Sequence, residues 1–426
     1  MSPPRRLLNR DFVLLWQGQF VSQLGTQAFL VAMVFWLKRQ TESATLIGLA
    51  SMATTLPAVL LGPIGGTFAD RHSRRAIIVL GDFLRGAVSI ALAVLTFTYP
   101  DRPQLILVFL LGTALFNGVT GSFFRPAISA AIPDLVPEER VASANSLNRI
   151  ALDVASFLGQ GVGGVLFRVL GPGLIFLFNG LSFVFSGVSE CFIRIPQQIP
   201  ETGGGWRAAL ADFRRDLVGG LRFVWESRGM RWVLFLSPLE NFFVTAIVVL
   251  FPFYVEDVLG VRPDWYGYLA AAFGGGSAVG SLLAGATTLP GGLRRNVILA
   301  FSMAFALAAA ALGLATSPWL ALGLLFVSGL MNGFSLIHFL SLIQLTTPSH
   351  LRGRVLGLFE TLAISMTPLA AGLTGVVADL LGRDIPLIYM GCGGALVLVT
   401  LALAASRDAR AFLAWEPAPS SPAVET

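Results

Sequence analysis

Gly66-Thr67-Phe68-Ala69-Asp70-Arg71-His72-Ser73-Arg74-Arg75 crowds five ionisable side chains into ten positions. The flanks are the opposite. Residues 44–69 carry no formal charge, and residues 76–98 carry only Asp82 and Arg85. Each flank exceeds the about 20 predominantly apolar residues that an α-helix needs to cross a bilayer core. The stretch therefore reads as a short polar loop between two membrane spans.

Working outward, the same alternation repeats along the chain. Apolar residues make up 55% of the 426 positions and charged residues only 12%, with a mean hydropathy of +0.75. A soluble domain carries about twice that share of charge. Counting apolar stretches predicts helices near 11–37, 44–69, 76–98, 104–126, 143–168, 172–195, 231–256, 264–289, 295–316, 318–346, 353–381 and 384–405. The fold class expected is an all-α membrane protein of twelve transmembrane helices. The first stretch, residues 12–37, is too long for the core of a cleaved signal and is expected to remain as a span. Cys191 and Cys392 lie inside apolar stretches and read as small buried hydrophobes. The tail from Pro417 is rich in Pro and Ser, a composition expected of disorder.

A net charge of +5 raises the question of nucleic acid. Charge placement answers it. With the N-terminus inside, 22 of the 29 cations fall on cytoplasmic segments and helix ends, 6 on the opposite side, and Arg85 lies within the third span. That asymmetry is the positive-inside signature of membrane topology. It places both termini in the cytoplasm and calls for no nucleic-acid partner.

The largest interruption, residues 196–230, holds Gly203-Gly204-Gly205 and an amphipathic basic run from Trp206 to Trp225. It reads as a cytoplasmic linker along the membrane surface. The expected organisation is a six-helix bundle over 1–195, the linker over 196–230, a second bundle over 231–406 and a cytoplasmic tail over 407–426. The halves echo each other. Gly48, Gly62, Gly66 and Arg74-Arg75 are answered about 220 residues later by Gly267, Gly280, Gly285 and Arg294-Arg295. Pro137 and Gly171 are answered at an offset of 211 by Pro348 and Gly382. Parallel six-helix repeats suit a transporter that rocks two bundles about a central site.

The opening loop, with Gly66, Asp70, Arg71, Arg74 and Arg75, resembles the Gly-x-x-x-Asp-Arg-x-Gly-Arg-Arg signature of the major facilitator superfamily, with Ser73 where the family usually has glycine. Gly66 would permit close helix approach. Asp70 would face the positive N-terminal end of the eleventh helix near Gly353, latching the halves on the inside. Gly159-Gln160-Gly161-Val162-Gly163-Gly164 is similar to the antiporter signature Gly-Pro-x-x-Gly-Gly of exporters in this superfamily, with Gln160 in the proline position. Gly159, Gly163 and Gly164 would allow tight packing against the other half. Asn9-Arg10-Asp11-Phe12, Leu15-Trp16-Gln17-Gly18-Gln19 and Phe124-Arg125-Pro126-Ala127 resemble the branch containing macrolide-efflux proteins and enterobactin exporters. The resemblance runs to about Ser406 and implies the major facilitator fold, transport, and a monomer.

Ionisable groups inside a membrane are costly and usually functional. Most here have a partner one helical turn away: Asp82 with Arg85, Arg149 with Asp153, Glu190 with Arg194, and Asp379 with Arg383. Each is expected to form a structural ion pair, and Asp82–Arg85, near the signature loop, is a further candidate for proton coupling. Glu240 and Glu360 lack such a partner. Glu240, well inside the seventh helix, is the first candidate for proton coupling; Glu360, at the repeat position of Arg149, is expected in charge contacts between halves. Asn332, Ser335, His338 and Ser341 form a polar stripe on the tenth helix. With Gln17, Gln23, Asn117 and Asn241 they are candidate cavity groups.

These readings converge on a secondary transporter in a bacterial cell membrane, exporting an amphipathic, drug-like organic compound in exchange for protons. Siderophore export, lysophospholipid translocation and a transporter-like sensor are alternatives within the same resemblance. Nothing in the chain suggests an enzyme: it has no nucleophile–base pair, no His/Asp metal cluster and no phosphate-binding Gly-Lys-Ser. No cofactor or metal is expected; the partners are a small molecule, protons and membrane lipids.

Overall fold

The computed structural model describes residues 7–197, 215, 218–219 and 221–416, and these are helical with short connections. Most of the Trp206–Trp225 run and the tail from Pro417 lie outside the described residues.

The first helices begin on sequence-encoded caps. Asn9 opens α1 (Arg10–Thr41) by accepting the Phe12 amide at 3.0 Å, and Ser43 opens α2 (Ala44–Arg71) by accepting from Leu46. Ser73 does the same for α3 (Arg74–Thr98), accepting from Ala76 with φ −57°. The signature loop therefore turns without a left-handed residue, and a capping serine serves where glycine is usual. Pro103 opens α4 (Pro103–Leu135), where its missing N–H costs nothing.

The next helical run, Val141–Glu190, spans 50 residues, too long for one crossing. It breaks at Gly171, whose φ of 73° and ψ of 171° are not helical, with Pro172 following. Its two arms, α5 (141–170) and α6 (172–190), run in opposite directions along α1. Gly159 meets Leu24 and Gln27, and Gly163 meets Val31; on the return, Asn179 and Ser182 meet Gly25 and Ser186 meets Gly18. Among the described residues, eleven apolar segments thus make twelve crossings.

The second half repeats the plan. It comprises α7 (Arg228–Val249), α8 (Asp264–Ala286), α9 (Gly291–Leu312), α10 (Pro318–Thr346), α11 (Ser349–Ser365 continued by Thr367–Leu380) and α12 (Ile385–Ala405). Its counterpart of Gly171, Gly382, also has a positive φ, 64°, at the turn between α11 and α12. The short helix α13 (Arg407–Leu413) then packs under α7, with Phe412 against Gly229.

The repeat extends to tertiary contacts. Gly48 on α2 lies against Ala371 and Gly375 of α11, while its counterpart Gly267 on α8 lies against the backbone of Gly161 on α5. Each half's second helix thus meets the other half's fifth. Arg75 donates to the carbonyl of Cys191, just past α6; Arg294 donates to the carbonyls of Leu413 and Trp415, past α12. Each loop after a second helix clasps the chain leaving that half's sixth.

Candidate functional site

The hydrogen bonds and ion pairs joining the halves gather at the end opposite the signature loop. Lys38, at the last turn of α1, reaches Glu256 at 2.9 Å and Asp257 at 2.6 Å, and Arg39 reaches Glu256 at 3.2 Å. Arg168 on α5 meets Asp264 at 3.0 Å, and Asp264 also takes Arg262 at 3.6 Å. Asp379 accepts from Ser43 Oγ and the amides of Ala44 and Thr45 at 2.9 to 3.0 Å, so its carboxylate caps the N-terminus of α2 across the interface. Arg383 donates to the Glu42 carbonyl at 2.6 Å. Phe35 and Tyr266 meet edge to face beneath these pairs. This end is closed.

The arginine-rich end differs. Asp70 is 66% exposed and its bond is local, to Arg74 at 3.4 Å. A side chain at Gly66 or Gly353 would meet nothing within 4 Å. In this conformation Asp70 does not cap α11 and Gly66 mediates no close approach. Arg74 instead turns inward to Asp134 and the Ala130 carbonyl of α4, and Arg71 is half-buried.

Between the ends lies a series of adjoining cavities. The first, about 290 Å³, sits between the halves, lined by Gln27 and Val31 of α1, Ser51, Thr54 and Thr55 of α2, Gln160 of α5, Val244 and Thr245 of α7, and Thr367 of α11. A second of about 180 Å³ shares Gln160, Val244 and Tyr266 with it and adds Phe273, Phe305 and Ser328. A third, about 430 Å³, lies within the second half and shares Val244, Phe273 and Phe305. Its walls hold Glu240, Asn241, Asn332, Ser335, Phe339 and Phe359. Val244 borders all three.

Polarity changes along the series. The first cavity is neutral: Gln160 donates to Gln27 Oε1 at 2.9 Å, and Gln27 to Ser156 Oγ at 3.3 Å, tying α5 to α1. The third contains one ionisable residue, Glu240, which has no hydrogen bond or ion pair among the described residues. Ser335 Oγ there and Ser328 Oγ in the second cavity are also buried without a partner.

Other sequence-predicted residues stand elsewhere. Gln17 donates to Ser189 and Gln23 to Ser156, both at 3.2 Å, as ties inside the first half. Asn117 Oδ1 is buried without a partner on α4, outside these three cavities. His338 is buried against Phe334, ring centroids 4.6 Å apart. Ser341 is exposed, bonded to its own helix. Successive three-residue steps rotate 60° short of a full turn, so the stripe begun at Asn332 has left the cavity by His338. Glu360 is exposed and makes no ion pair among the described residues. Gly159 and Gly163 pack within their own half, and Gly164 against Pro263 and Asp264 of the other.

Two expected helix-turn pairs form and two do not. Asp82 holds Arg85, and Arg149 meets Asp153 at 3.1 Å. Asp379 and Glu190 do not take Arg383 and Arg194. Asp379 is claimed by the amides of α2, and Glu190 faces the core, where Gln19 donates to it at 2.7 Å. Sequence spacing missed both because each partner comes from a helix distant in the chain. Gln27 was missed for want of any local signal.

A profile of the family described as transmembrane secretion effector matches residues 2–422. The chain belongs to that family of major facilitator transporters. Relatives include macrolide efflux protein A of Streptococcus pyogenes, 25% identical over 288 residues and 68% of each chain. The multidrug efflux pump Tap of Mycobacterium bovis is 27% identical over 391 residues, 88% of each. Among solved structures, an inward-facing bacterial homologue of the iron transporter ferroportin superposes with a TM-score of 0.70 at 16% identity, covering 94% of this chain and 100% of the other. That likeness is one of fold. The family and these relatives are transporters, and the chain is a multi-pass membrane protein with efflux pumps among its homologues.

Proposed function

We propose that this protein exports amphipathic organic compounds in exchange for protons by alternating access, with Glu240 as the coupling carboxyl. The observation that carries the reading is the isolation of Glu240: the lone ionisable group in an enclosure walled by Phe273, Phe305, Phe339 and Phe359. A carboxyl in such a place needs either a proton or a cationic ligand to neutralise it. One group that takes either in turn exchanges one for the other. Phenyl faces around it favour an organic cation. The neutral amides and hydroxyls of the first cavity suit the hydroxyl and carbonyl groups of a larger substrate, in keeping with the drug-efflux names of the relatives.

The excess of arginine at the signature-loop end supports placing that end, and both termini, in the cytoplasm of a bacterial cell. The conformation is then closed to the outside and ready to load from within. Residues 1–195 and 231–406 are the two moving bodies of a monomer, with 196–230 as linker and 407–426 as tail. In the opposite state Asp70 reaches the N-terminus of α11 near Gly353, while Arg71 and Arg75 contact lipid phosphates.

Proteoliposomes under an imposed pH gradient, assayed with a macrolide and a cationic dye, test the reading. Wild type is expected to move substrate against the proton flow. Glu240→Gln should bind substrate weakly and lose proton-driven movement while inserting normally. Unchanged coupling in that variant would reject Glu240.

A further inference from the structure

A second carboxyl site lies in the first half, apart from the cavities. Asp82 on α3 and Glu190 at the end of α6 are 0% and 1% exposed, and their carboxyl groups meet side by side. Arg85 of α3 binds Asp82 Oδ1, its guanidinium held between the rings of Phe124 and Phe183 at 3.7 and 4.5 Å. From α1, Gln19 donates to Glu190 Oε1 at 2.7 Å; from α6, Ser186 Oγ lies 3.3 Å from the same oxygen and also neighbours Asp82. On α4, Arg125 next to Phe124 lies near enough to repel Arg85, but it is exposed and outside the buried group.

The oxygens sort cleanly. Asp82 Oδ1 and Glu190 Oε1 are occupied by donors; Asp82 Oδ2 and Glu190 Oε2 are buried and have none. Two ionised carboxylates beside one guanidinium would leave a net negative charge in the core and two oxygens without donors. One proton removes both problems. We propose that Asp82 and Glu190 bind a single proton between them, carried on Glu190 Oε2 and donated to Asp82 Oδ2, making a proton-binding site distinct from Glu240. Asp82 stays ionised because Arg85 holds it. The proton completes a link from α1 through α6 to α3, and α1 is the helix that carries Lys38 at the closed end.

Infrared spectroscopy of the reconstituted full chain tests this directly. A protonated-carboxyl stretch that shifts in heavy water is expected at neutral pH in Glu240→Gln, where Glu240 contributes none, and its loss is expected when Glu190→Gln is added to that variant. The amide of Glu190→Gln can donate as the acid does, so melting temperature should stay at the wild-type value and should no longer fall at alkaline pH. Asp82→Asn strands Arg85 and should lower the melting temperature at all pH values. Were Glu190→Gln in the Glu240→Gln background to leave the band in place, or Glu190→Gln to destabilise the protein as much as Asp82→Asn, the shared proton would be excluded. Because the readout is not transport, it stands whether or not Glu240 couples export.

Discussion

Lys38 shows how much rests on individual side chains at the closed end. Its ammonium is nearly buried and contacts two carboxylates, one of them half in water. Hydrogen bonds to charged groups are worth about 1.5–3 kcal/mol each when both partners stay put, and exposure reduces the second. Removing the ammonium while keeping the apolar stem, as in Lys38→Met, should weaken closure by about 2 kcal/mol, roughly a factor of 30 in the conformational balance. Labelling of Thr41→Cys, in a chain whose Cys191 and Cys392 are alanine, should quicken accordingly; an unchanged rate would mean these pairs contribute nothing. Lys38 is one of the six cations that the sequence places on the outer side, but nothing there points to its acids, 218 and 219 positions away. The same holds for Asp379, whose neighbour Arg383 was the obvious partner by spacing and whose actual donors begin α2.

Helices were the most legible level, since a bilayer demands long apolar runs and the chain has little else. Gly171 explains why the sixth span was visible before any coordinates: the Leu170-Gly171-Pro172 step cannot continue a helix. Its φ of 73° and ψ of 171° fall in a region essentially reserved for glycine. Gly171→Ala is therefore expected to lower stability by about 1–3 kcal/mol, although a side chain there would meet no neighbour. A melting curve in detergent checks this, and a wild-type midpoint would show that the turn relaxes freely. The α10 stripe was read less well. A spacing of three suggests one face, yet the rotation it accumulates carries His338 and Ser341 away from Asn332.

Across the whole molecule, two matched bundles were readable from repeated glycines and arginines, whereas their relative tilt was not. Nothing in composition says which end is shut. That is decided where backbones touch, and the contact between α5 and α8 is asymmetric. A methyl group on Gly267 would strike the carbonyl and Cα of Gly161, which belong to a helix backbone and cannot swing aside; one on Gly161 would find the Gly267 carbonyl at 4.0 Å. Gly267→Ala should therefore pry the closed end apart and raise labelling of the same Thr41→Cys reporter, while Gly161→Ala leaves it at the background rate. Equal behaviour of the two variants would mean the bundles meet differently from this arrangement.

The closure pairs have one more implication, because Lys38 is the chain's lone lysine. Amine chemistry, which on most proteins scatters over the surface, has a single side-chain target here, and that target is hidden only while Glu256 and Asp257 hold it. The molecule thus comes with a native tag whose reactivity follows the opening and closing of this end.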